Sequence, residues 1–259
     1  MSECIYLQFE LFSVEVYQPE KSELLSSFIA LYHSNIVDSI SVASLLLTAK
    51  SDGLHLQWNR ESEKPLNFHI DVIKAVNQLR SYPAPKQGAF NQALGKKTRH
   101  IIDATGGWGG DTLLMCTQGY QVTVLERNPV MALMLKDSMT RLSQSKWAID
   151  NQVSMPNVIQ GDSTIFFACN KLEESVDCIY LDPMFPPKKK KTAAVNKQMQ
   201  LLQWMVGQDI DAAQLVENAL SAEAPRIVVK RPDYAEPLFR TPSTQFSSKL
   251  VHYDVYLSV

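Results

Sequence analysis

The stretch that most constrains the fold runs from His100 to Glu126. A short apolar segment, His100-Ile101-Ile102-Asp103, leads into Ala104-Thr105-Gly106-Gly107-Trp108-Gly109-Gly110-Asp111 and then into a helix. Gly119 stops that helix, and Gln121 to Glu126 follows as a second strand ending on an acid. Four of the chain's ten glycines lie between Gly106 and Gly110. Backbone kept that bare permits positive φ and close approach of a ligand. Strand, glycine turn, helix and strand make a βαβ unit, which requires a parallel sheet and a right-handed crossover. Ligands of such sheets bind beyond the carboxyl ends of the strands.

The same alternation continues through the rest of the chain. Helices are expected at Gly88–Leu94, from Pro129 to about Lys146, from Ser163, at Asn196–Val206 and at Asp211–Ala222. Strands are expected at Asn157–Gln160, Val176–Leu181, Arg226–Lys230 and Val251–Val259. This predicts an α/β domain, a mainly parallel sheet with helices on both faces. Before Ser81-Tyr82-Pro83-Ala84-Pro85 the texture differs. Ile5 to Tyr17 reads as strand, Glu20 to Tyr32 as helix, and Phe68 to Val72 as strand running into a helix that ends near Arg80. Asp52-Gly53 between two alternating runs predicts a β-hairpin. The expected organisation is an α+β region over 1–83 and the α/β domain over 84–259.

Composition bounds the function. Hydrophobic residues make up 45% and charged residues 20%, as in soluble globular proteins. A net charge of -2 means that any nucleic-acid contact must use a local basic patch. Cys4, Cys116, Cys169 and Cys178 form no C-x-x-C pair, which suits a reducing compartment. The five histidines form no H-x-x-x-H pair, so no zinc is expected. Glu3 makes a poor signal peptide, and no apolar run approaches the roughly 18 residues of a membrane span. A cytoplasmic protein with no membrane or metal partner is the expectation.

The chemistry-bearing residues cluster at strand ends. Glu126 can accept from both hydroxyls of a ribose, which suits a nicotinamide cofactor or S-adenosylmethionine. Three details favour the methyl donor. The turn departs from G-x-G-x-x-G spacing. Asp103 stands before the glycines, where it can meet a cationic amino group and would repel a pyrophosphate. Asp111 opens the helix, a poor residue beneath a phosphate. At the next strand end, Gln160-Gly161-Asp162-Ser163 places Asp162 beside an adenine amino group. A helix N-cap is the other reading of Asp162 or Ser163, and the two can coexist.

Val176-Asp177-Cys178-Ile179-Tyr180-Leu181 empties onto Asp182-Pro183-Met184-Phe185. A carboxylate, a rigid proline and an aromatic ring there can hold a flat ring bearing an amine. Asp182 accepts from the amine, a carbonyl of the Pro183 turn adds a second acceptor, and Phe185 stacks. Lys188, Lys189, Lys190 and Lys191 follow, beside that pocket, as phosphate contacts. Lys230 and Arg231 add further phosphate contacts, and Tyr234 a second stacking face.

Together these motifs resemble the RsmJ family of small-subunit ribosomal RNA (guanine-N2)-methyltransferases, within the class I S-adenosylmethionine-dependent superfamily. The matching stretches are Asp103-Ala104-Thr105-Gly106, Leu125-Glu126-Arg127-Asn128-Pro129-Val130, Tyr180 to Pro186, and Val228 to Tyr234. The resemblance implies a Rossmann-like fold with a seven-stranded sheet. It implies donor contacts at Gly110, Asp111, Glu126, Arg127, Asp162, Ser163 and Asp182, and a guanosine of 16S ribosomal RNA as acceptor, in free RNA or within the 30S subunit. Two departures stand out: Gly110 where the family has arginine, and Pro83-Ala84-Pro85-Lys86-Gln87-Gly88 where the family segment is richer in glycine and arginine. The rival readings are an N-methyltransferase acting on DNA adenine or cytosine or on a glutamine amide, and a non-catalytic RNA-binding protein on the same fold.

Overall fold

The computed structural model describes residues 4–38, 43–61, 63–169, 172, 175–184, 196–206 and 211–258. In the N-terminal third, β1 (Cys4–Gln8) and β2 (Ser13–Tyr17) are antiparallel, so the strand expected from Ile5 to Tyr17 is a hairpin. Its turn, Phe9-Glu10-Leu11-Phe12, carries no glycine, proline or asparagine to mark the reversal. It closes through the Phe9 N–H on the Phe12 carbonyl at 2.9 Å. Helix α1 (Glu23–Leu31) is capped by Ser22, whose hydroxyl accepts from the Leu25 N–H. After β3 (Ile36–Val37), the alternating runs form β4 (Leu45–Lys50) and β5 (Gly53–Trp58) around the Asp52 turn. Next come β6 (Leu66–His69) and α2 (Val72–Asn77). The sheet order is β3-β1-β2-β4-β5-β6, with β2 and β4 parallel and the other pairs antiparallel.

The second sheet begins after α3 (Gly88–Leu94). Its first half is β7 (His100–Asp103), α4 (Gly110–Thr117), β8 (Gln121–Glu126), α5 (Pro129–Ser143), α6 (Lys146–Asp150), β9 (Asn157–Gln160) and α7 (Ser163–Cys169). Its second half is β10 (Cys178–Leu181), α8 (Lys197–Val206), α9 (Ala212–Ser221), β11 (Arg226–Pro232), β12 (Thr244–Ser247) and β13 (Val251–Leu257). The long helix expected from Pro129 ends at Ser143, and Ser145 caps a new one by accepting from the Ala148 N–H. The seven strands run β12-β13-β11-β10-β7-β8-β9, all parallel except β13. Strand β12 is the one that sequence patterning misses, because Thr244-Gln245-Phe246-Ser247 is a mostly polar edge.

Three apolar clusters hold these layers. One face of the second sheet packs Ile101, Val124, Tyr180 and Val228 against α3, α4 and α5, and α2 adds Val72 and Val76. The other face packs Ile102, Ile179 and Val229 against Phe167, Leu215 and Val216. The third cluster sets Leu7, Val14, Leu45, Leu47 and Leu56 of the N-terminal sheet against Val130, Met131 and Met134 of α5 and Leu201 and Met205 of α8. Helix α5 is therefore sandwiched between two sheets, which is why its leucines and methionines lie on every side. The chain leaves β7 toward β8 on one side and returns to β10 on the other. The crevice between the carboxyl ends of β7 and β10 is the topological switch point.

Candidate active site

Two cavities open at that switch point. The smaller is walled by Leu125, Glu126, Arg127, Asp162, Ser163 and Leu215. The larger, about 1200 Å³ and open to solvent, is walled by Trp108, Gly110, Asp111, Tyr180, Lys230 and Tyr234. Thr105, Gly107, Asp182, Met184 and Leu202 line both. Asp182, placed directly after β10, thus stands where the cavities meet.

The glycine turn serves packing as much as ligand approach. A Cβ at Gly106 would lie 2.7 Å from Val124 Cγ1, and at Gly109, where φ is +73°, 2.4 Å from Leu135 Cδ1. Gly110 differs: a Cβ there meets nothing within 4 Å. Trp108 closes the turn from outside. Its indole N–H donates to the Gln198 carbonyl at 3.1 Å, and its ring lies 5.5 Å from that of Phe68. Helix α8 is thereby fixed over the crevice and turns Met199, Leu202, Gln203 and Val206 into the cavities. Patterning of apolar residues did not single out these four. The available signal was Trp108, a large donor among glycines that needs a partner across the crevice.

The carboxylates divide by partner. Asp103, at the floor of the larger cavity, is buried, and its oxygens accept from the Thr105 N–H at 3.2 Å and the Thr112 hydroxyl at 2.5 Å. Burial, with the charges of Asp111 and Asp182 nearby, pushes it up to about 7 despite those hydrogen bonds. Asp111 Oδ2 accepts from the Tyr180 hydroxyl at 2.6 Å and from Lys230 Nζ at 2.8 Å. Lys230 Nζ also donates to Asp182 Oδ2 at 2.8 Å, and the Asp182 N–H donates to Thr105 Oγ1 at 2.7 Å. Burial raises the Asp182 carboxyl; Lys230 works against that rise and Asp111 adds to it. Burial disfavours the Lys230 ammonium, but Asp182 and Asp111 outweigh it and hold the group above the ordinary lysine value.

At the smaller cavity, Glu126 is buried and accepts from the Gly107 and Asn128 N–H groups, both at 2.7 Å. Arg127 pairs with Asp211 at 3.3 Å, joining the end of β8 to the start of α9 across the cavity mouth. Asp162 Oδ1 caps α7 through the Thr164 and Ile165 N–H groups at 2.7 and 3.3 Å, and the Ser163 hydroxyl donates to the Ala104 carbonyl at 2.6 Å.

Two residues expected at an RNA surface lie elsewhere. Lys230 is 23% exposed and bridges two carboxylates inside the larger cavity, so its charge is neutralised there. Arg231 points to the other face of β11, buried, and its Nη2 donates to the Glu236 carbonyl at 2.6 Å. Alternation along the strand separates them, and neither position is marked in the sequence as inward. Tyr234 is exposed at the rim of the larger cavity. Pro183 is buried in the turn after Asp182. Phe185 and Lys188 to Lys191 lie outside the described residues.

The SAM_MT family model, for SAM-dependent methyltransferases, matches residues 32–258. The ribosomal RNA small subunit methyltransferase J of Shewanella oneidensis is 36% identical over 220 residues, spanning 83% of this chain and 87% of that protein. The chain belongs to the methyltransferase J family. Its namesake in Legionella pneumophila is 37% identical over 173 residues, 67% of this chain and 69% of that protein. Among solved structures, the SAM-dependent methyltransferase NGO1261 from Neisseria gonorrhoeae shares the fold. Its TM-score is 0.65 at 24% identity, over 91% of this chain and 92% of that one.

The site residues of this methyltransferase J family member fit S-adenosylmethionine. Asp103, Asp111 and Asp182 surround the larger cavity with acids, which suit an ammonium and a sulfonium and would repel a pyrophosphate. Glu126 lines the smaller cavity at the end of its strand, a position where a carboxylate suits ribose hydroxyls, and Leu125, Leu202 and Leu215 offer apolar walls to an adenine ring. Among the described residues no helix is long and apolar enough to cross a membrane.

Proposed function

We propose that this methyltransferase acts on the exocyclic N2 amine of a guanosine in small-subunit ribosomal RNA, in the cytoplasm, on free RNA or on the 30S subunit. The observation that carries this reading is Asp182 at the junction of two cavities, the smaller walled for a nucleoside and the larger lined by acids that suit the donor's cationic end and open to solvent, where an incoming base can reach Asp182. S-adenosylmethionine, when bound, supplies an electrophilic methyl group on a sulfonium. The chain's own task is to aim and polarise an amine whose lone pair is delocalised into the base.

Asp182 is the acceptor for that amine. Lys230 holds its Oδ2 and opposes the rise that burial and Asp111 impose on the carboxyl, which favours the carboxylate form that accepts an amine proton. As the new N–C bond forms, the sulfonium's S–CH3 bond breaks with its electron pair left on sulfur; the nitrogen becomes cationic, and Asp182 takes one of its protons and passes it to water. Pro183 fixes the turn, and Phe185 stacks on the base, a contact worth about 1–3 kcal/mol. That offsets the few kcal/mol needed to turn the base out of RNA structure. Glu126 holds the ribose, Arg127 with Asp211 closes the mouth, and Asp162 beside Ser163 faces the adenine. Gly106 gives the turn its close packing, and Gly110 beside Asp111 presents bare backbone to the donor in the larger cavity. Lys188 to Lys191 meet phosphates and Tyr234 adds a stacking face.

The test uses donor carrying a labelled methyl group, with 16S RNA and 30S subunits from cells lacking the gene. Nucleosides are separated after digestion. Label in N2-methylguanosine supports the reading; label in adenosine, cytidine or protein overturns the acceptor, and no label overturns catalysis. Asp182→Ala should lower turnover by at least about 100-fold, as loss of a positioned acceptor does, while S-adenosylhomocysteine still binds measurably.

A further inference from the structure

We propose that Asp52, His55 and His69 form a binding site for a divalent transition-metal ion of the zinc class, on the N-terminal sheet and away from the crevice. The ligand atoms of the three residues lie within 4.8 Å of one another. His55 and His69 are direct cross-strand partners on the solvent face of β5 and β6, and their rings stack at 4.4 Å with 10° between planes. Asp52, in the β4–β5 turn, reaches toward both: Oδ1 is 2.9 Å from His55 Nε2, and Oδ2 is 4.0 Å from His69 Nε2.

The tautomer of His69 is set for ligation. Its Nδ1–H donates to the Leu54 carbonyl at 3.0 Å, which leaves the lone pair on Nε2, facing the carboxylate. A backbone carbonyl behind one ring nitrogen is the usual outer-shell support of a metal-bound histidine. An ion at ordinary Zn–N and Zn–O lengths of about 2.0–2.2 Å brings tetrahedral ligands to roughly 3.3 Å apart. Rotation of Asp52, which is 61% exposed, together with a tilt of the two partly exposed, near-parallel rings toward a common point, covers that distance without moving the strands. Two imidazoles and one carboxylate favour zinc, copper or nickel over magnesium or calcium, with water completing the shell. Binding replaces the hydrogen bond between His55 Nε2 and Asp52 Oδ1.

The site has a structural purpose. Strand β6 is an edge strand of four residues. The turn that bears Asp52 rests on α5, where the Leu54 N–H donates to Asp137 Oδ2 at 3.1 Å and Asp137 pairs with Arg141 at 2.9 Å. An ion on Asp52, His55 and His69 pins the free edge to the hairpin, and through it to α5.

The experiment titrates the full-length, chelator-stripped protein with ZnCl2 by calorimetry and with CoCl2 by visible absorption. One equivalent of zinc should bind and raise Tm, cobalt should give d–d bands, and MgCl2 should do neither. His69→Gln and His55→Gln should each weaken zinc by more than the roughly 10–100-fold that loss of an outer-shell partner costs. His33→Ala, away from the cluster, should leave it unchanged. Should His69→Gln fold poorly, His55→Gln alone decides, since its solvent-facing ring fills no core position. No zinc binding to the wild type, or unchanged affinity and Tm shift in His55→Gln, overturns the proposal.

Discussion

At the residue scale, the ion pair of Lys230 with Asp182 is the most informative contact. In the proposed reaction Asp182 acts as a carboxylate, so turnover should fall as pH drops through its carboxyl pKa. Burial raises that pKa and Lys230 lowers it. Removing the ammonium in Lys230→Met should therefore move the acidic limb of the kcat profile to higher pH, and Lys230→Arg should restore most of it. A limb that stays in place in Lys230→Met would show that the lysine serves packing alone. Asp103 makes a different prediction. Its folded pKa of about 7 lies above the 3.8 of a free aspartate, so the folded state holds the extra proton between those values. Its penalty is absent below about pH 4 and grows as pH rises toward 7. Relative to Asp103→Asn, the wild type should lose a few kcal/mol of stability over that window. Urea denaturation of both proteins at pH 5 and pH 8 measures this.

At the scale of elements, the two kinds of glycine in one turn should separate cleanly. Gly106→Ala forces a Cβ into Val124 and should cost about 1–3 kcal/mol, as overpacking does. Gly110→Ala, in the first turn of α4 with open space around it, should be neutral or stabilising by up to about 1 kcal/mol. Thermal melts of the two variants check both signs. The strands β7, β8, β9 and β10 were legible because each is an apolar run bounded by turn residues. The β1–β2 reversal was not, because Phe9 to Phe12 looks like more strand. Asp162 illustrates a shared role: its cap on α7 is visible in the bonds to Thr164 and Ile165, and it still borders the smaller cavity.

At the scale of the molecule, α5 and α8 tie the two sheets together. Val130, Met131, Met134, Leu201 and Met205 face the N-terminal sheet, and Val72 and Val76 of α2 pack into the second core. We infer that the regions 1–83 and 84–259 fold as one unit. A chain truncated to 84–259 should expose that apolar face, bind a hydrophobic dye and lose its cooperative melt. A soluble truncated chain with a sharp transition would show two independent domains instead.

The sequence by itself determined the strand-helix alternation, the crevice at the ends of β7 and β10, and the acids Asp103, Glu126 and Asp182 at strand ends. Those follow from local periodicity and from glycine and proline placement, which act over a few residues. Only the tertiary structure decided that Lys230 turns inward to two carboxylates while Arg231 is buried on the opposite face. It also decided that α8 roofs the site through Trp108, and that His55 and His69 meet across two strands. Each of these depends on which distant segments pack together, and charge and burial at a residue are set by neighbours that its local sequence does not name.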